Sequence, residues 1–151
     1  MLAEGTTAPE FELANQDGEP VALSDFEDQH VVVYFYPRAD TPGCTKEACD
    51  FRDNWDRYAD ADVPVLGVSD DPVEDLADFH EKYDLPFDLL SDDGGEVATA
   101  YESYGEREIQ GDLLSVTSRN TYVVGPDGAI AAAFEGVDPE GHADEVLAAI
   151  E

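Results

Sequence analysis

The chain has 151 residues, with 37 Asp and Glu against 7 Lys and Arg, a formal net charge of -30 at pH 7 and pI ≈ 4.1. That length predicts one domain over residues 1–151 with room for a single sizeable core, and a hydrophobic content of 42% sets the chain apart from disordered sequences. The acid load repels nucleic acid and anionic lipid, and no apolar run is long enough to span a bilayer. The opening "MLAEGTTAPEF" carries neither a basic start nor an apolar signal core. A soluble, cytoplasmic protein without nucleic-acid or membrane partners is therefore expected.

In chain order, "FELANQDGEPVAL" alternates, turns at Asp17-Gly18 and alternates again, which predicts an N-terminal hairpin. "HVVVYFY" is a near-continuous β-branched and aromatic run, the pattern of a buried central strand. "PVLGVS" and "FDLLS" are shorter runs of the same kind. Between them, Val73, Leu76, Phe79 (or His80) and Tyr83 recur at helical spacing. "GGEVATAYES" predicts a short helix, and "EREIQGDLLSVTS" has no clear period and is assigned to a loop. "RNTYVVGPDGAIAAAF" predicts a second hairpin turning at Pro126-Asp127-Gly128, and Ala143, Val146, Leu147 and Ile150 a final helix. Strands alternating with helices and closed by a hairpin predict an α/β sandwich around a mixed sheet.

Both cysteines, Cys44 and Cys49, lie in "YPRADTPGCTKEACDFRDNW". Four of the seven basic residues, Arg38, Lys46, Arg52 and Arg57, gather in and just after that stretch. Thr41 and Pro42 read as the N-cap and first residue of a helix. Cys44, Ala48, Phe51, Trp55 and Tyr58 then follow at helical spacing, as one apolar stripe facing the core. Cys44 falls at the helix N-terminus, where unpaired N–H groups and the positive dipole end favour a thiolate. Cys49, five residues on and rotated by roughly 140°, shares its stripe with Arg52, Asp53 and Asp56 and is expected to be exposed, with an ordinary thiol pKa. The same residues also fit a plainer arrangement: one buried cysteine, one surface cysteine, and cations paired with nearby acids. There is no C-x-x-C pair, and His30 and His80 sit at no short ligand spacing from the thiols, so no metal or other cofactor is expected.

The context of the thiols decides between these readings. "PRADTPGC" resembles the peroxiredoxin motif, and "TPGCTKEAC" is similar more narrowly to the bacterioferritin comigratory protein, or Q-type, subfamily. "LGVSDDPVEDLADFHEKYDLPFDLLSD" and "SRNTYVVGPDGAI" match later parts of that family in kind, and the likeness weakens from Glu102 to Ser118. The resemblance implies a thioredoxin-like fold, a central mixed sheet flanked by helices, and an antioxidant peroxidase serving cell redox homeostasis. It implies Cys44 as the peroxidatic thiolate, Thr41 and the Cys44 amide as the peroxide cradle, Arg119 as the charge partner and Pro37 as a shield from water. It also implies Cys49 as the resolving thiol that closes a disulfide with Cys44, with a thioredoxin-type protein as reductant. A monomer or weak homodimer is expected. Two further readings remain: a general thiol–disulfide oxidoreductase, against which the missing C-x-x-C counts, and a non-enzymatic binding or holdase module, which predicts that Cys44→Ser leaves function intact.

No motif marks His30, His80 or His142. Glu47 is either a partner that orients Arg119 or an exposed helix acid, and its place on a charged helix favours the second. Tyr36 lines the pocket or fills a central-strand position, and Trp55 is assigned to the core.

The acids are spread along the whole chain, a composition resembling that of cytoplasmic proteins from salt-accumulating halophiles. In 1 M salt the Debye length is roughly 3 Å, so self-repulsion that weakens the fold in dilute buffer is screened. Melting curves at low and molar KCl check this. Tm is expected to rise with KCl, by about 2–4 °C for each kcal/mol gained. A flat or falling Tm contradicts the halophile reading.

Overall fold

The computed structural model describes residues 2–39, 41–109, 111–138 and 141–150. Seven strands form one mixed sheet: β1 (Glu12–Asn15), β2 (Pro20–Ala22), β3 (Val31–Phe35), β4 (Val65–Ser69), β5 (Asp88–Ser91), and two later strands, β8 (Thr121–Val124) and β9 (Ile130–Phe134). Their order across the sheet is β2-β1-β5-β4-β3-β8-β9. The central trio β5, β4 and β3 is parallel, and the two hairpins add antiparallel strands at either side. The expected turns are both present: Gly18 at φ 76° donates to the Asn15 carbonyl, and Gly128 at φ 82° donates to that of Gly125.

Alternation along β3 divides the interior in two. Val32, Tyr34 and Tyr36 point to one face, where α1 (Pro42–Asp53), α2 (Trp55–Asp60), α3 (Val73–Lys82) and α5 (His142–Ile150) bury Phe51, Tyr58, Leu76, Phe79, Val146 and Leu147 against the sheet. Val31, Val33 and Phe35 point to the other, where α4 (Glu96–Ala100) brings Ala98 and is followed by Tyr101. This is the expected α/β sandwich. Aromatic rings fill the first face: Tyr34 stacks on Phe51 at 4.9 Å and lies 5.5 Å from Tyr36. Gly67 on β4 makes room for this stack, since a methyl there would come within 2.8 Å of the Tyr34 hydroxyl.

Two expectations need correction. The segment 106–118 is not a loop: β6 (Tyr104–Ile109) and β7 (Asp112–Thr117) pair antiparallel as a separate two-stranded sheet. Ile109 pairs with Asp112, so only Gln110, which lies outside the described residues, and Gly111 separate the strands. Gly111 at φ 84° has the left-handed backbone that a two-residue hairpin turn requires. A two-stranded ribbon outside a main sheet need not bury one face along its length, so its sequence need not alternate. The cysteine helix is also not continuous through Tyr58. It stops at Asn54, whose backbone (φ -102°, ψ 12°) leaves the helix and whose side-chain amide donates to the Asp50 carbonyl at 2.8 Å. Asn competes in this way with the helix backbone.

Candidate active site

The loop from β3 to α1 is anchored from below. The Tyr36 amide donates to the Val68 carbonyl, and the Ala39 amide to Asp71 Oδ2 at 2.7 Å. Asp71 is buried, also accepts from Ser69 Oγ at 2.8 Å, and is fixed through its carbonyl by Ser91 Oγ at 2.7 Å. It thus ties the loop to the ends of β4 and β5. Pro37, half-buried, leads out of the strand at the foot of this loop.

Thr41 occupies the N-cap of α1 with extended backbone (φ -94°, ψ 156°), and Pro42 is the first helical residue, as expected. Its side chain does not cap the helix. Instead Oγ1 donates to the Arg38 carbonyl at 2.8 Å, which commits the hydroxyl proton and leaves the oxygen free to accept. Cys44 stands two residues after Pro42, in the first helical turn, where amides have no partner within the helix. It is 2% exposed, and both cysteines are free thiols.

Arg119 arrives from the opposite side, at the entry to β8. Its carbonyl accepts from the Val137 amide at 2.8 Å, and its neighbour Asn120 is held by Ser103 Oγ, by the Gly136 amide and by the amide of Phe35 in β3. From this fixed backbone the guanidinium reaches two groups on α1. Nη2 donates to Cys44 Sγ at 3.5 Å, and Nη1 to Glu47 Oε1 at 3.1 Å. Burial opposes the arginine's charge, but Cys44 and Glu47 more than offset it and hold its pKa up.

Of the two readings of Glu47, that of a partner of Arg119 holds and the favoured one, an exposed helix acid, does not. The Glu47 side chain is 0% exposed, and Oε2 has no hydrogen-bond partner. Burial pushes its pKa up to about 7, against the pull of Arg119, with a smaller push from Asp50. Its position, three residues after Cys44 and one before the buried Ala48, puts it on the inward stripe, and that spacing was the available signal. Cys49 departs from its expectation too. It is half-buried rather than fully exposed, and burial pushes its thiol pKa up, with Arg52 opposing and Asp53 adding to the rise. That rise favours the thiol over the thiolate at this position.

Tyr36 is fully buried under this site, and the hydroxyls of Tyr34 and Tyr36 have no partners. Trp55 is half-buried against Tyr58 and Phe87, in keeping with its assignment to the core. His142 carries no motif but is buried, with Nε2 2.8 Å from Thr121 Oγ1, and it docks α5 on β8. A groove of about 460 Å³ beside Trp55, Tyr58, Asp62, Leu66 and Phe87 contains neither thiol nor Arg119. Among the described residues, no helix is long and apolar enough to cross a membrane. What the site offers chemically is one buried thiol at a helix N-terminus, in contact with one fixed guanidinium.

Known proteins share this arrangement of elements. Residues 5–133 match the model of the AhpC/TSA family. Peroxiredoxin Bcp of Escherichia coli is 44% identical over 146 residues, covering 97% of this chain and 94% of that protein. Peroxidoxin BcpB of Mycobacterium tuberculosis superposes with a TM-score of 0.89 at 38% identity, over 99% of this chain and 97% of its own. The bacterioferritin comigratory protein of Xanthomonas campestris, solved as trapped intermediate and ligand complexes that bear on its alkyl peroxide reduction, superposes with a TM-score of 0.87 at 32% identity, over 93% and 89%.

Proposed function

This chain belongs to the AhpC/TSA family, as a peroxiredoxin of the Bcp/Q kind, and on that premise we propose how its own residues reduce a peroxide. The enzyme is a thiol-dependent peroxidase, and Cys44 is its nucleophile. The observation that carries this assignment is the contact of Arg119 Nη2 with Cys44 Sγ, at the first turn of α1. Guanidinium and first-turn amides both favour a thiolate over a thiol.

The Cys44 thiolate attacks the terminal oxygen of hydrogen peroxide or an organic hydroperoxide. The S–O bond forms as the O–O bond breaks, and the remaining oxygen leaves as hydroxide or alkoxide. Charge moves from sulfur to that oxygen, so donors aimed at both stabilise the transition state. Arg119 supplies one donor and the Cys44 amide another. The Thr41 hydroxyl, its proton already given to the Arg38 carbonyl, accepts from the peroxide and orients it. Pro37 closes the loop side of the site against water. Cys44 becomes a sulfenic acid. The Cys49 thiol then condenses with it, releasing water and leaving a Cys44–Cys49 disulfide. A dithiol protein of the thioredoxin type reduces that bond by exchange. Burial pushes the Cys49 thiol pKa up, which disfavours Cys49 as a competing nucleophile toward peroxide. The protein works in the cytoplasm, as a monomer or weak homodimer.

Peroxide consumption with a thioredoxin-type reductant tests this. Wild type turns over, Cys44→Ser is inactive with its fold intact, and no protein disulfide substrate is required. Turnover by Cys44→Ser would overturn the assignment.

A further inference from the structure

One cation serves two buried acids at this site. Arg119 gives Nη2 to Cys44 Sγ and Nη1 to Glu47 Oε1, and Glu47 is completely enclosed. A thiolate and a carboxylate together would leave one uncompensated negative charge in the core, which a protein interior resists by neutralising a group. The place for a proton is present: Glu47 Oε2 is buried and bonds to nothing. The groups facing Glu47 are Arg119 from the entry to β8, Cys44 and Asp50 from its own helix, and the phenols of Tyr34 and Tyr36 from the strand beneath. None but Arg119 is a cation.

We propose that Glu47 carries a proton in the reduced enzyme and gives it up when Cys44 is oxidised, so that it serves as the proton store of the peroxidase step. The proposal rests on Cys44 being the thiolate that peroxide oxidises. The balance closes without drawing on solvent. Thiolate, hydroperoxide and Glu47 carboxylic acid become sulfenic acid, alcohol or water, and Glu47 carboxylate. Sulfur is oxidised, the O–O bond is reduced, the leaving oxygen gains one proton, and the net charge of the set stays at minus one. Once Cys44 is neutral, the charge of Arg119 is met by Glu47 alone. The rise of the Glu47 pKa to about 7 means that a modest change in its surroundings moves the proton at neutral pH.

Infrared difference spectroscopy on Cys49→Ser protein near pH 6.5 reads this directly, since that variant cannot form the disulfide. The reduced protein is expected to show a protonated-carboxyl C=O stretch that shifts in D2O and disappears after one equivalent of hydrogen peroxide. In Glu47→Gln, Cys49→Ser protein the band is absent in both states. A reduced protein without the band, or a band that oxidation leaves unchanged, would overturn the proposal; neither reading depends on the Gln variant folding. Mass spectrometry on the same samples follows Cys44. If peroxide leaves Cys44 unmodified, the peroxidase assignment fails first and takes this proposal with it.

Discussion

Replacing Arg119 by Ala is expected to slow the second-order reaction with peroxide by ~10²–10³, the loss found when one preorganised donor to developing charge is removed. The side chain is the group in contact with Cys44 Sγ, and Arg38 and Lys46 are exposed. The backbone, not the guanidinium, joins this residue to the sheet, so the fold survives. A stability cost remains, because Glu47 Oε1 loses its donor inside the core, at about 1–3 kcal/mol for an unsatisfied buried group. Arg119→Lys is expected to recover little. A single ammonium does not present two N–H groups in one plane to Cys44 and Glu47. Stopped-flow rates and circular dichroism on the two variants check this. A near-native rate for Arg119→Ala would mean that the first turn of α1 holds the thiolate unaided.

The second large effect is the loss of helix when the disulfide forms. Residues five apart on a helix are separated by a rise of ~7.5 Å, with side chains roughly 140° apart. A disulfide rarely tolerates Cα separations beyond about 7 Å and needs converging Cβ vectors. In the reduced protein Cys44 and Cys49 lie on one continuous helix, Pro42–Asp53. The turns from Thr41 to Asp50 must therefore unwind before the two sulfurs meet. The contacts given up are more numerous than the polar face of Cys49 suggested. They include both Arg119 bonds, the burial of Glu47 and Ala48, and the bond from the Ala143 amide of α5 to Asp50 Oδ2 at 2.9 Å. Amide exchange of Thr45–Asp50 is expected to be protected in the reduced form and to approach that of an unstructured chain in the disulfide form. Unchanged protection, in protein whose mass establishes the intramolecular disulfide, would contradict the mechanism.

Glu47 gives the stability of α1 in the reduced protein a pH dependence. Its pKa is raised in the folded helix, from 4.5 to about 7. The sign follows: its contribution to holding α1 folded is complete below the lower value and is lost as pH rises through the upper one. Opening of α1 in the reduced protein is favoured by moving from pH 6 to pH 8, as amide exchange of Thr45–Asp50 reads, and Glu47→Gln removes that part of the trend. Once Cys44 is oxidised and Glu47 has given up its proton, the trend is absent.

The sheet was readable because its central strand is buried on both faces: the run Val31–Phe35 is apolar without a break and fully buried. The two hairpins announced themselves through Asp17-Gly18 and Asp127-Gly128. What escaped were features set by tertiary contacts. Glu47 is a charged residue on a charged helix, and only the arrival of Arg119 from a distant strand makes its burial tolerable. Asp71 looks like any acid of "SDDP" until the β3–α1 loop folds over it. The β6–β7 ribbon lies outside the main sheet, where a sequence need not alternate. Cys44 and Arg119, 75 residues apart, were joined by family resemblance and not by any local pattern. The structure puts them within 3.5 Å.

The account stands on Cys44 as the thiol that peroxide oxidises, and a single turnover tests it most directly. Fully reduced protein is mixed with one equivalent of hydrogen peroxide in a stopped-flow instrument, while the fluorescence of Trp55, which begins the helix after Asn54, reports on α1. Wild type is expected to show a fast peroxide-dependent phase followed by a slower peroxide-independent one as the helix unwinds. Cys49→Ser keeps only the first phase, and Cys44→Ser shows neither. A fast peroxide-dependent phase that persists in Cys44→Ser would contradict the account.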